Sequence, residues 1–370
     1  MLQGNTPKAQ LKILAVAINN GYVSKKALRL MSEADVTRSK ALHYLIDNNY
    51  LTPCEIKYSY IDDGKKKYMK ERAYRMNIYQ YKKAKEHYRR LLEDVKVVPL
   101  RSNHITHTNS SNIRVLRRSE QMMMLQEIGY NVYPTDEDAQ HKFYTKEEIL
   151  SDSQIEDPQQ LKYIKSYGAV VTPEDAYLIY DLNRNSFVKI ENWLEKIIFR
   201  ELKKKIKREC EAKRIILGEK ADKIVGIMQK NIVTFNEKGI QHHYMTDADL
   251  FKSSIFIPKT KDGETELEIV LMEKSRDTIA EYLGLEKLPT SATVDADGIK
   301  DDKYVLNFLI PDVVKLSRFM RGLEGKEHLG EIHCYEDVVA PLEELYPGMK
   351  ITGHSAAEVY DYLLNENSFF

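Results

Sequence analysis

Three short helical patterns followed at once by a strand pair occupy the first 76 residues, and this order constrains the fold more than any other feature of the chain. The first helix is predicted to begin at Thr6-Pro7, where a capping hydroxyl precedes a proline, and to end at Gly21. Its apolar side chains recur every three or four residues, at Leu11, Leu14, Ala15 and Ile18. The pattern therefore predicts an amphipathic helix with one buried face.

The second and third helical patterns are shorter and are joined by a tight turn. Ser24 is predicted to cap the second helix, and a turn at residues 32–35 precedes the third. The inward side chains are expected to be Ala27, Leu28 and Met31 in the second helix and Ala41, Leu42, Leu45 and Ile46 in the third. Three short helices with tight turns are typical of a helix-turn-helix unit.

Two alternating, tyrosine-rich segments follow at residues 55–61 and 66–76, with Asp63-Gly64 between them as a hairpin turn. A helix-turn-helix unit followed directly by a basic hairpin is the element order of a winged helix. The sequence therefore predicts a winged-helix domain over residues 1–92. Winged helices bind DNA or act as protein-interaction modules, so the charge of the segment bears on the choice between the two roles.

Charge is unevenly divided along the chain, although the formal net charge of all 370 residues is zero. Residues 1–92 hold 19 Lys and Arg against 8 Asp and Glu, a balance of +11, so the remainder carries −11. A basic module joined to an acidic part indicates a polyanionic partner for the basic end. The alternative is a solvated surface whose charge is merely uneven.

The polar and basic side chains of this module lie where docking to double-stranded DNA would need them. The third helix exposes side chains that could meet base edges in a major groove, namely Thr37, Arg38, Ser39, Lys40, His43 and Tyr44. The hairpin carries side chains suited to the DNA backbone, namely Lys57, Lys65, Lys66, Lys67, Tyr68, Lys70 and Arg72. The pattern leaves open whether His43 is a base contact or an ordinary surface histidine, and most hairpin tyrosines are better explained as ordinary strand residues.

A polar segment at residues 101–112 has turn composition, so a linker is predicted over residues 93–112 and a second domain over residues 113–370. Helices are predicted at residues 113–130, 191–216, 275–284 and 311–320. Strands are predicted at residues 168–172, 176–182, 186–190, 223–228, 253–259, 267–272, 304–310 and 331–335. This alternation indicates an α/β domain behind the winged helix, and thus a multidomain α+β or α/β chain.

The order helix, three strands, helix, strand is that of the restriction-endonuclease-like, or PD-(D/E)XK, fold. Its chemistry needs an Asp on one strand and Asp/Glu-x-Lys on the next, so that two carboxylates hold a divalent metal beside a lysine. Asp181 and Lys189 fit two of these positions, but Phe187 stands where a carboxylate is required, and Glu191 or Glu195 would have to replace it. The sequence therefore predicts a degenerate core without catalytic residues or a metal site. A divalent metal is expected only if the nuclease alternative holds.

Several other classes of protein do not fit the sequence. No stretch approaches 18 consecutive apolar residues and the N-terminus lacks the apolar core of a secretory signal, so a cytoplasmic protein without a membrane partner is expected. The three cysteines lie far apart and form no CxxC pair, which argues against a disulfide framework or a zinc ribbon. The chain has no P-loop, GxGxxG or GxSxG motif, and we expect no cofactor.

Several segments, together with the N-terminal helix-turn-helix pattern, resemble accessory proteins of mobile elements in Gram-positive bacteria, the replication-relaxation and MobC-like relaxosome proteins. These segments are SNIRVLRRSEQMMMLQEIGYNVYP (111–134), GAVVTPEDAYLIYDLN (168–183), HYMTDADLFKSSIFIPKTKDGETELEIVLME (243–273) and YVLNFLIPDVVKLSRFM (304–320). The resemblance is one of layout and covers most of the chain. It implies a protein that binds double-stranded DNA at or near an origin of transfer or replication and helps a separate relaxase or initiator. It also implies a nuclease-like second domain that is not independently catalytic.

The sequence thus favours a DNA-binding accessory protein whose acidic part contacts a basic protein, such as the relaxase or initiator, or forms a homodimer. A metal-dependent DNA nuclease is one alternative. A transcriptional repressor or plasmid replication initiator is another, because all of these proteins would carry the same basic module.

Overall fold

A computed structural model of the chain describes residues 5–62, 65–91, 109–130, 132, 142–151, 166–182, 192–230, 235–237, 240–242 and 253–367. The chain divides into two compact units, residues 1–143 and residues 144–370. The described ranges contain 13 α-helices and 14 strands, so the chain has a mixed, multidomain α and β fold. No helix in these ranges is both long and apolar enough to cross a membrane.

The first unit joins five helices to one small antiparallel sheet. Its elements are α1 (Asn5–Asn20), β1 (Tyr22–Ser24), α2 (Lys25–Leu30), α3 (Asp35–Asp47), β2 (Leu51–Asp62), β3 (Lys65–Met76), a 3-10 turn (Ile78–Gln80), α4 (Tyr81–Leu91) and α5 (Asn109–Glu127). The sheet has the order β1-β3-β2, with both neighbours antiparallel to the central strand β3. The predicted order of three helices and a hairpin is therefore confirmed, with the short strand β1 added to it.

Local signals set the ends of the first helices. Gly21, with a φ of +80°, ends α1, and its backbone N donates to the carbonyl of Ala17 at 2.8 Å. The hydroxyl of Ser24 accepts a hydrogen bond from the backbone N of Ala27 at 2.9 Å and so caps α2 as predicted. These contacts link residues at most four positions apart, which is why the sequence alone predicted them.

From Lys12 to Asn20, helix α1 is buried on all sides, whereas the sequence predicted a single buried face. Ile13, Val16 and Ala17 are as fully buried as Leu14 and Ala15, which belong to the predicted face. The reason is that α1 packs against α3, α4 and α5 together, so it lies at the centre of the unit. Periodicity predicted an amphipathic surface helix because it does not report how many neighbours a helix has.

Helix α5 belongs to the first unit, although the sequence placed it at the start of the second domain. It begins at Asn109, inside the predicted linker, and packs against α1, α2, β1 and β2. Leu116 of α5 lies in one buried cluster with Tyr22, Ile56, Tyr58 and Ala73. The apolar side of a helix predicts that something covers it but not which part of the chain does.

Most of the second unit is built around a five-stranded mixed sheet and the helices that connect its strands. The elements are β4 (Lys142–Thr145), α6 (Lys146–Leu150), β5 (Gly168–Val171), β6 (Asp175–Asp181), α7 (Asn192–Ile206), β7 (Glu211–Gly218), α8 (Lys223–Lys230), β8 (Phe235–Glu237), β9 (Ile240–His242) and β10 (Ser254–Pro258). The strand order is β10-β7-β6-β5-β4, while β8 and β9 form a separate pair. Strands β6, β7 and β10 are parallel to one another, and β5 is antiparallel to β6.

A four-stranded sheet follows in the same unit. The remaining elements are α9 (Lys261–Leu271), α10 (Ser275–Tyr282), β11 (Gly298–Lys300), β12 (Lys303–Asn307), α11 (Val313–Gly322), a 3-10 turn (Glu327–Leu329), β13 (Gly330–Tyr335), α12 (Glu336–Leu345), β14 (Lys350–His354) and α13 (Ala356–Asn367). The order is β11-β12-β13-β14, in which β12, β13 and β14 are parallel. The predicted strands that became β5, β6, β10, β12 and β13 are confirmed, as are the helices α10 and α11.

The helix predicted at residues 191–216 is wrong in its second half. Helix α7 ends at Ile206, Lys207 adopts a left-handed backbone with a φ of +54°, and residues 211–218 form β7. The apolar residues of β7 continued the helical spacing by chance. Their true environment is the interior of a parallel sheet, where a strand is apolar on both faces.

The strands predicted at residues 223–228 and 267–272 are helices α8 and α9. A short apolar run fits both the helical period of about 3.6 residues and the strand period of 2. Long-range packing decides which of the two structures forms. The hydroxyl of Thr260 accepts a hydrogen bond from the backbone N of Gly263 at 3.0 Å, so residues 261–264, which lie between the predicted strands 253–259 and 267–272, form the first turn of α9. A Cβ at Gly263 would lie 1.9 Å from the carbonyl O of Pro258, so only glycine fits this approach. The strand predicted at residues 186–190 lies outside the described residues.

Candidate nucleic-acid interface

Helix α3 presents one polar face to solvent and packs with the other. Of the four side chains predicted to face inward, Ala41 and Leu45 are buried, whereas Leu42 and Ile46 are half-buried. Asp35 is exposed in the first turn, and the other exposed side chains recur at helical spacing and are Val36, Ser39, Lys40, His43, Tyr44 and Asp47. Four of the six side chains predicted to meet base edges therefore lie on this face, and the structure brings them together on one side of the helix.

Arg38 and Thr37, the other two predicted residues of α3, are half-buried. The guanidinium of Arg38 donates to the carbonyl of Met31 at 2.8 Å and pairs with the carboxylate of Asp35. Arg38 therefore joins the end of α2 to the first turn of α3. This use of the side chain follows from the angle between two helices, which the sequence did not report.

Two aromatic contacts hold the end of α3. The ring of His87, from α4, lies 5.4 Å from that of Tyr44 and 5.3 Å from that of Tyr50. Its Nε2 lies 3.0 Å from Oε1 of Gln10 in α1. Helix α4 thus positions the exposed Tyr44, a contact that the sequence did not predict.

The hairpin of β2 and β3 has an apolar side and a basic side. Ile56, Tyr58 and Ala73 face the core. Because side chains alternate along a strand, the residues between these point to the opposite face. Lys57, Tyr68, Lys70 and Arg72 are exposed there, and we call this set the basic face of the hairpin.

Two lysines stand directly opposite each other on the basic face. Lys57 of β2 pairs in register with Lys70 of β3, and like charges at such positions destabilise a sheet. Nζ of Lys70 lies 3.6 Å from a carboxylate oxygen of Glu55. Tyr68, two positions before Lys70, keeps 76% of its surface exposed. This arrangement places positive charge beside an exposed aromatic ring on one surface.

The other hairpin lysines do not all join this surface. Lys67 is exposed but alternates with Tyr68 and Lys70, so it points to the other side of β3. Lys65 and Lys66 lie in β3, but their side chains lie outside the described part of the chain, as does the predicted turn at Asp63-Gly64. The sequence analysis assigned all these lysines to one surface that contacts the DNA backbone, because the sequence does not show which face of the hairpin each side chain lies on.

The nuclease candidates of the second unit lie on opposite faces of its sheet. The Asp181 carboxylate pairs with Nζ of Lys259 at 2.6 Å, and both side chains are buried. The carboxylate of Glu195 pairs with the guanidinium of Arg214 at 2.8 Å and accepts a hydrogen bond from Tyr180. Neighbours in one strand point to opposite faces, so Asp181 and its neighbour Tyr180 do as well. Asp181 and Glu195 are therefore not brought together to share a metal ion.

The remaining members of that candidate set, Lys189 and Glu191, lie outside the described residues. No three His, Cys, Asp or Glu side chains of the described ranges are arranged to hold a metal ion. Cys54, Cys210 and Cys334 are free thiols. The chain matches no protein-family model, no curated protein and no solved structure.

Proposed function

We propose that the first unit is a winged helix-turn-helix module that binds double-stranded DNA sequence-specifically. The order α1, β1, α2, α3, β2, β3, with β3 between β1 and β2, supports this assignment. In such a module the third helix enters the major groove and the hairpin lies along the backbone. The solvent face of α3 and the basic face of the hairpin would be the two contact surfaces.

The opposed pair Lys57 and Lys70 is the observation that carries this proposal. Two ammonium groups directly across a strand pair repel each other, and the ion pair of Lys70 with Glu55 at 3.6 Å offsets part of this repulsion in the free protein. DNA phosphates that contact the two ammonium groups, one each, neutralise both charges and release condensed counterions. Arg72 and the exposed Tyr68 extend the same surface along β3, so a backbone could be followed over several residues.

Different side chains would then have different tasks. Lys40 and His43 are exposed on α3 and are suited to base edges. Arg38 acts as a positioning residue, because its guanidinium is bound to the carbonyl of Met31. Lys57, Lys70 and Arg72 contact phosphates, which supplies affinity without sequence preference.

We infer further that the protein is an accessory factor at an origin of transfer or replication of a mobile element, where it assists a separate relaxase or initiator. This step rests on the resemblance of the sequence segments and on the charge of −11 that residues 93–370 carry. An acidic surface suits a basic protein partner. A non-catalytic second unit fits this role, since Asp181 is neutralised by Lys259 and separated from Glu195 by the sheet.

The test is binding of the full chain to duplex fragments from its own genetic neighbourhood, with random duplex as competitor and Mg²⁺ present. We expect a discrete complex with one intergenic fragment, with the DNA left intact, and a steep loss of affinity with salt. The double variant Lys57→Ala, Lys70→Ala should reduce the slope of log K against log salt by about 1.8, at roughly 0.9 for each phosphate contact.

The matched control is Lys287→Ala, Lys326→Ala, which removes the same charge from exposed sites of the second unit. It should leave the slope unchanged. An equal slope in both double variants would exclude the basic face of the hairpin as the DNA contact. Cleavage of the fragment would instead support the nuclease alternative, and no binding at low salt would leave the module as a protein-interaction domain.

A further inference from the structure

One ring nitrogen of His43, Nδ1, already forms hydrogen-bond contacts within the protein. Nδ1 lies 2.7 Å from the backbone carbonyl O of Ser39 and 3.2 Å from its hydroxyl. A carbonyl oxygen accepts hydrogen bonds and cannot donate them, so Nδ1 must carry the hydrogen. In a neutral imidazole the other nitrogen is then an acceptor. In the neutral form of the His43 ring, Nε2 therefore offers a lone pair and no hydrogen.

The position of His43 makes this lone pair available to a ligand. The side chain is exposed on α3, on the same face as Ser39 and Lys40. Its two contacts with Ser39, one turn earlier on the helix, restrict the orientation of the ring. Lys40, which carries only donors, and Asp47, which carries only acceptors, lie about one turn to either side of it.

The major groove distinguishes bases by their donors and acceptors. Adenine and cytosine present an exocyclic amino group there, whereas guanine presents N7 and O6 and thymine presents O4, which are all acceptors. A ring nitrogen with only a lone pair can bind an amino group and is repelled by an acceptor. Lys40 has the opposite preference, since an ammonium group suits the acceptors of guanine.

We propose that His43 determines specificity by accepting a hydrogen bond from the amino group of an adenine or a cytosine in the major groove. The inference rests on the proposed DNA-binding function and adds the class of base that is read at one position. It also assigns Ser39 as a positioning residue, because its carbonyl holds the hydrogen on Nδ1.

The experiment is selection of bound sites from a randomised duplex library, followed by affinities for single base-pair variants of the best site. The full-length protein, His43→Lys and His43→Gln are compared. The unaltered protein should prefer adenine or cytosine at one position by about tenfold. His43→Lys, which exchanges an acceptor for donors, should shift that position to guanine and leave the others unchanged. His43→Gln should narrow it to adenine, which glutamine contacts with both amide atoms.

The matched control is His328→Lys, the same substitution at an exposed histidine of the second unit, and it should select the same sites as the unaltered protein. If the unaltered protein binds DNA but His43→Lys selects the same base at every position, the assignment of His43 is overturned and the proposed function stands. If the unaltered protein binds all sequences equally, both the assignment of His43 and the sequence specificity of the proposed function are overturned. If the unaltered protein does not bind DNA, the proposed function itself fails.

Discussion

Glu266 is a buried carboxyl group whose environment opposes ionisation. Its side chain lies in α9 with 1% of the residue exposed, and neither oxygen has a hydrogen-bond partner among the residues that the structure describes. Burial raises the pKa of Glu266 well above 4.5, and the charges of Asp337 and Asp262 raise it further. The folded state therefore retains a proton that the unfolded chain releases above about pH 4.5.

Replacing this carboxyl group should stabilise the protein at neutral pH. The stability that Glu266 contributes is fully present below pH 4.5 and is lost as the pH rises towards its folded-state pKa, because the unfolded state binds fewer protons there. Glu266→Gln should therefore raise the free energy of unfolding by up to about 3 kcal/mol at pH 7 and by close to zero at pH 4.

Urea denaturation at the two pH values measures this difference. Glu324→Gln, at an exposed site of the same unit, is the control and should change little at either pH. A gain of equal size at pH 4 and pH 7 would mean that improved packing, rather than the proton, explains the effect.

At the scale of elements, a small network fixes α5 against α1 and against the turn before α3. Nζ of Lys12 lies 2.7 Å from Oε1 of Glu127 and 2.9 Å from Oε1 of Glu33. The backbone N of Ser32 donates to Oε2 of Glu127 at 2.9 Å. Burial alone would raise the pKa of Glu127, but the hydrogen bonds from Lys12 and Ser32 outweigh it and lower the pKa. The network thereby orients the turn from which α3 begins.

Glu127→Gln should weaken this attachment of α5. The amide keeps the shape of the side chain but loses the negative charge that pairs with Lys12. Glu33 still neutralises part of the charge of Lys12. We expect a loss of roughly 1–3 kcal/mol, below the cost of leaving a buried charge wholly unpaired. Urea denaturation of the full chain checks this, with Glu344→Gln on the exposed side of α12 as control. Equal stability of both variants would contradict a structural role for the network.

At the scale of the whole molecule, the boundary between the two units depends on contacts between α5 and residues far earlier in the sequence. Leu116 of α5 covers Tyr22, Ile56, Tyr58 and Ala73, so the first unit is complete only when α5 is included. The domain predicted over residues 1–92 lacks this helix. Its core would leave those side chains open to water, at a cost of about 25 cal/mol per Å² of apolar surface.

Truncation distinguishes the two boundaries. Residues 1–143 should unfold in one sharp, cooperative urea transition, because they contain every element of the first unit. Residues 1–108, which end before α5, should give a broad transition or none. Residues 144–370, prepared in the same way, are the control and should also unfold cooperatively, which shows that preparation as a fragment does not itself broaden the transition. A cooperative transition of equal midpoint in residues 1–108 would show that α5 is dispensable.

Much of the first unit was predictable because its signals act over a few residues. The Gly21 stop, the Ser24 cap and the buried Ala41 and Leu45 of α3 depend on neighbours one helical turn away. The hairpin followed from strict alternation. Of the candidate interface, the sequence predicted which residues are basic, but the strand register alone sets Lys57 opposite Lys70. Packing alone binds Arg38 to the end of α2.

The sequence by itself determined the order of three helices and a hairpin, five strands of the second unit and the division of charge along the chain. Tertiary structure decided that α5 covers the first unit, that α8 and α9 are helices, and that Asp181 and Glu195 lie on opposite sides of a sheet. It also brought Nδ1 of His333 to 2.8 Å from Nε2 of His354, 21 residues later. The reason is physical: periodicity reports which side of an element is apolar, whereas the group that covers that side comes from a distant part of the chain.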